Sequence, residues 1–106
     1  MIRAEFESSG SAFTGFTLQG HAGLAPAPHD ILCAAVSAMA SLTVNTLGEV
    51  FQTKLFIEKT EEPAFLRVRV EGKPGKAAEG VLKGFYLQLK DLEKQYPKNL
   101  SVTSHH

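Results

Sequence analysis

Ile2, Ala4 and Phe6 alternate with Arg3, Glu5 and Glu7 at the start of the chain, the period of two that marks a half-buried strand. "SSGS" then predicts a turn, because Gly10 adopts positive φ at little cost. "FTGFTLQG" is rich in aromatic and β-branched residues, so Phe13 to Gln19 is expected as the hairpin partner. A loop from Gly20 to Pro28 follows. Asp30 is placed to cap a helix starting at Ile31, where apolar and small residues continue to about Val50. Apolar around most of its circumference, that helix is expected to be deeply buried.

Two more strands are expected in "KLFIEKT" and "FLRVRVEG", on either side of an "EEPA" turn, with Val68 and Val70 alternating against Arg67 and Arg69. "GKPGKAAEG" punctuates the chain. A second helix runs from about Ala77 to Tyr96. There Val81, Leu82, Phe85, Leu89, Leu92 and Tyr96 share one face at 3.6 spacing, with Lys83, Lys90, Glu93 and Lys94 outside it. Pro97 stops this helix. The order ββαββα predicts an α+β fold, a mostly antiparallel four-stranded sheet with both helices on one face. There is no internal linker, solenoid repeat or low-complexity tract, so a single domain spanning residues 1–106 is expected.

Lys plus Arg and Asp plus Glu both number 11, a formal net charge of zero. That balance argues against a protein whose main task is to grip nucleic acid, which favours a basic face. The apolar stretch from Ile31 to Leu42 is too short to span a bilayer. "MIRAEFESSG" carries acidic residues where an export signal has an apolar region. A single cysteine makes no internal disulfide, and a cytoplasmic protein is expected. The terminal His105 and His106 are set aside as a possible purification tag.

The candidate chemistry lies in "QGHAGLAPAPHDILCAAVSAMASL", which holds the only cysteine and the only two histidines away from the tail. With Asp30 as N-cap, Cys33 falls at the third position of the helix. Unpaired backbone N–H groups and the positive end of the helix dipole there favour a thiolate, the nucleophilic form. The same N–H groups are suited to an oxyanion in acyl transfer. His21 reaches Cys33 if the intervening loop folds back. On composition alone a cysteine among Ile, Leu, Ala and Val is an inert small hydrophobe, and Asp30 only a cap. Spacing leaves both readings open.

"GHA" at residues 20–22, followed by "DILCAAVSAM" at residues 30–39, resembles the ribosomal-processing cysteine proteases called Prp. That family's pattern is Gly-His-Ala, a flexible loop, then Asp-Ile-(Val/Leu)-Cys-Ala-Ala-Val-Ser, and the order of elements also matches over nearly the whole chain. The resemblance implies His21 as catalytic histidine, Cys33 as nucleophile and Asp30 in a supporting role, orienting the histidine or setting the helix start. It implies removal of a short N-terminal extension from a large-subunit ribosomal protein (number twenty-seven), and a homodimer. Gly20, Gly23 and Ser37 are candidate substrate-binding positions. The chain departs from the family pattern at Pro28, where a glycine is usual two residues before the aspartate. Pro28 fixes φ and restricts the residue before it.

The leading expectation is thus a cysteine endopeptidase without cofactor or metal, whose extended substrate lies near the loop between residues 21 and 29. Two alternatives belong to other classes. Zinc could be held by His21, His29, Asp30 and Cys33, though H-x7-H-D-x2-C is no standard spacing. A ribosome-associated binding module would leave Cys33 merely buried.

Overall fold

The computed structural model describes residues 1–23 and 30–105. Strands β1 (Ile2–Ser9) and β2 (Ala12–Gln19) form the first hairpin, turning at Gly10 with φ of 64°. Helix α1 (Ile31–Asn45) passes directly into a π-helical turn, Thr46–Val50. The two make a helical run of 20 residues, long and apolar enough by length and composition to cross a membrane, well beyond the apolar stretch ending at Leu42. Here Leu32, Val36, Ala40, Thr43 and Leu47 of that run are buried in the protein. Strands β3 (Leu55–Thr60) and β4 (Phe65–Val70) and helix α2 (Lys76–Gln95) follow where the periodicity places them.

The four-stranded, mostly antiparallel sheet needs correction. A fifth strand, β5 (Leu100–His105), completes a mixed sheet of order β3-β4-β2-β1-β5. β5 runs parallel to β1, with Ala4 opposite Val102, whereas the other pairings are antiparallel. The strand is short, and its alternating Leu100 and Val102 stand in a polar segment after the helix-stopping Pro97. His105, set aside with the tail, is its last residue.

One face of the sheet is buried. Ala4, Phe6, Phe16, Val68 and Val102 are each at most 4% exposed, and they join Leu32, Val36, Leu82, Phe85 and Leu89 of both helices in one core. Aromatic rings bind α2 to the sheet: Phe85 lies 4.9 Å from Phe16 and 5.7 Å from Phe6, both edge to face. The opposite face is polar, with Arg67 paired to Glu7 at 3.0 Å. Glu93 near the end of α2 accepts from the Val102 N–H at 2.7 Å, covering one donor of the β5 edge.

Candidate active site

The site forms where the end of β2 meets the start of α1. Asp30 has extended backbone angles, and its Oδ1 accepts the Cys33 N–H at 2.9 Å, the N-cap geometry expected from the sequence. Ala34 N–H donates to the Asp30 carbonyl at 3.1 Å and closes the first turn. Cys33 therefore occupies the third helical position, half-buried and unpaired as a thiol, while Asp30 is buried. The cap has a chemical consequence: the Cys33 N–H is committed to the Asp30 carboxylate and not to a substrate oxyanion.

Gly20 ends the hairpin. Its N–H donates to the Ala64 carbonyl at 3.1 Å, and its φ is 86°. A Cβ at this position would collide with the Met1 carbonyl oxygen, so packing alone requires glycine. Gly23 also has positive φ, 76°, a conformation that favours glycine. Between these glycines the Ala22 N–H donates to the Cys33 Sγ at 3.2 Å. A thiolate accepts such a bond more strongly than a thiol does.

His21 and Cys33 line one cleft of about 350 Å³. Ser37, one turn after Cys33, shares the wall with Val36 and Ala40, while Leu18 and Leu66 form an apolar floor. The opposite rim is the turn between β3 and β4, where Lys59 and Glu61 pair at 3.6 Å in solvent. His21 is exposed. Among the described residues no hydrogen bond joins its imidazole to the Cys33 thiol; the Ala22 backbone makes that contact instead. His29 and Pro28 lie outside the described residues, as does the loop after Gly23, so three of the four zinc-set residues, His21, Asp30 and Cys33, are described. Among the described residues, no group of three or more His, Cys, Asp or Glu gathers as metal ligands.

The arrangement can take an extended, partly apolar peptide along α1 and present its carbonyl to a sulfur at a helix N-terminus. The family model for the cysteine protease Prp matches residues 1–101. The chain belongs to this family. It is accordingly a cysteine protease, and Cys33 is its only cysteine. No curated protein sequence matches it.

Solved structures show the same fold at low identity. The essential ribosomal processing protease Prp from S. aureus, in complex with a covalently linked product peptide, aligns with a TM-score of 0.93 and 22% identity over 99% of this chain and 100% of that one. The same protease with a substrate peptide aligns at 0.87 and 21%, over 99% and 100% of the two chains. SMU.848 from Streptococcus mutans aligns at 0.87 and 22%, over 98% of this chain and 93% of its own.

Sequence reasoning missed two parts of the site. The Ala22 N–H is a backbone donor that no side-chain motif announces. Asn99, whose Nδ2 donates to the Ala22 carbonyl at 2.8 Å, stands 77 residues away in an unremarkable polar turn. Nothing in "PKNLS" distinguishes it from a solvated loop residue.

Proposed function

We propose that this protease removes the short N-terminal extension of a large-subunit ribosomal protein (number twenty-seven), with Cys33 as nucleophile and His21 as general base. The observation that carries the reading is the placement of the Cys33 sulfur. It lies in the first turn of α1, accepts the Ala22 N–H, and opens onto the cleft that His21 also lines. The solved relatives described as ribosomal processing proteases, one with a substrate peptide and one with a covalently linked product, support the substrate class.

In this scheme His21 takes the thiol proton and the sulfur attacks the scissile carbonyl carbon. The tetrahedral oxyanion collapses as imidazolium protonates the leaving amine. Water activated by His21 then hydrolyses the thioester and regenerates the thiol. The positive end of α1 favours both anionic states. Asp30 supports the pair by fixing Cys33 through the cap, and its charge contributes to turnover. Gly20, Gly23 and Ser37 border the bound peptide.

The chain acts as one domain and as a homodimer in the cytoplasm, where a catalytic thiol stays reduced. The apolar groove between α1 and α2, flanked by exposed Leu42, supports self-association. Balanced charge supports a protein substrate over direct binding of nucleic acid or membrane. Incubation with the extended ribosomal protein and mass analysis of the products tests the reading. A single product shortened at its N-terminus is expected, and an intact substrate would overturn it.

A further inference from the structure

Ala22 is held from both sides. Its N–H donates to Cys33 Sγ at 3.2 Å, and its carbonyl accepts Asn99 Nδ2 at 2.8 Å. The residue is only 2% exposed, so both polar groups sit where water is scarce and a fixed partner matters. Upstream, the Gly20 bond to Ala64 pins the segment to the turn before β4. Downstream, Gly23 has positive φ, and among the described residues Asn99 is the side chain that anchors this end.

Asn99 is itself placed by backbone bonds. Its N–H donates to the Tyr96 carbonyl at 3.0 Å, at the end of α2, and its carbonyl accepts the Ile2 N–H at 2.9 Å, at the start of β1. β5 begins at the next residue. The amide therefore reaches Ala22 from the junction of α2, β1 and β5, where Ile2 also lines the cleft. Because the acceptor is a carbonyl oxygen, the amide must present its NH2 group, and Asp at the same position would set oxygen against oxygen.

We propose that Asn99 is a positioning residue for the nucleophile: by clamping the Ala22 carbonyl it aims the Ala22 N–H at Cys33 Sγ and so stabilises the thiolate that attacks. The proposal rests on Cys33 as the nucleophile and goes beyond it in assigning Asn99 and the Ala22 backbone to the site. Loss of the clamp lets the Gly20–Gly23 segment rotate, and the N–H···S bond lengthens or breaks. A hydrogen bond to a charged acceptor contributes enough that its loss is read as roughly a tenfold effect.

The test compares the parent with Asn99→Asp, nearly the same shape with the donor removed, and with Asn99→Ala. Cys33 alkylation by iodoacetamide is followed at pH 7 and at about pH 10, where free thiols are ionised regardless of neighbours. For Asn99→Asp, alkylation at pH 7 falls roughly tenfold while the rate at about pH 10 equals the parent's. kcat falls by a similar factor, with KM changed less than about twofold. Asn99→Ala shows the same pattern at about threefold, and carries the test if the Asp variant does not fold.

Equal rates for parent and variants at both pH values overturn the proposal. So does an equal loss at both, which would make Asn99 a structural residue controlling access. Alkylation needs no substrate, so a wrong substrate assignment leaves this readout intact. Cleavage persisting in Cys33→Ala would instead defeat the catalytic assignment, whatever Asn99 does.

Discussion

The two helices make opposite uses of apolar sequence. α2 is amphipathic: Ala78, Leu82, Phe85 and Leu89 are buried, and charged, polar and glycine residues make up most of the rest, with Leu87 exposed among them. α1 is apolar nearly all round, yet only a narrow row from Leu32 to Thr43 reaches the core, while Ile31 and Leu42 are each 67% exposed. An amphipathic helix spends most of its hydrophobicity on folding. A helix with apolar surface left over has kept some for contact, here a cleft on one side and a groove against α2 on the other. Changes in α1's first turn are therefore expected to alter chemistry at constant stability, and changes in α2 the reverse.

The sharpest test of that contrast is Cys33→Ala. Removal of the sulfur is expected to abolish cleavage, by about a thousandfold or more, and to leave the melting temperature within a few degrees, because a small side chain in that turn costs little packing. Single-turnover cleavage and thermal melting on the same samples check both halves. Full activity in this variant would break the comparison outright.

His21→Ala follows, with a loss in kcat of about a hundredfold to ten-thousandfold and little change in KM, since it removes proton transfer and not binding. A loss confined to KM would make His21 a substrate contact. The counterpart in α2 is Leu89→Ala. Leu89 is fully buried, and its truncation is expected to cost about 2–5 kcal/mol in urea unfolding. Protein that remains folded should turn over at the parent kcat.

Asp30→Asn separates the two roles of the cap residue. Asn accepts the Cys33 N–H about as well as Asp, so stability should change by less than about 1 kcal/mol. Cleavage should slow if the carboxylate charge takes part, and an unchanged rate would leave Asp30 a cap. The smallest effect belongs to the α2–β5 junction. Burial pushes the Glu93 carboxyl up, but the Lys90 side chain at 2.8 Å and the Val102 N–H outweigh it and hold Glu93 below its ordinary value. A depressed carboxyl stabilises the fold above its unfolded value, near pH 4.5, and loses that contribution as pH falls through the folded one. Glu93→Gln is expected to cost below about 1 kcal/mol at pH 7, and the gap to the parent should close on acidification below that range.

The sequence alone determined four of the five strands, both helices and the capped first turn that carries Cys33. Each follows from local rules: period-two alternation in "IRAEFES" and "FLRVRV", a 3.6 period from Leu82 to Leu89, and an Asp at a cap position that leaves Cys33 in the first turn. These rules act over a few residues, so a few residues display them. β5 escaped because a six-residue strand becomes one only by lying parallel to β1, across nearly the whole chain, which no local pattern encodes. The environment of the sulfur escaped for the same reason. The Ala22 N–H is a backbone group that every residue but proline carries, and Asn99 meets it only after α2 and β5 have docked. That His21 and Asp30 stand near Cys33 in sequence was legible; which hydrogen bonds surround its sulfur was decided by tertiary packing, because hydrogen bonds depend on distances and angles that sequence separation does not record.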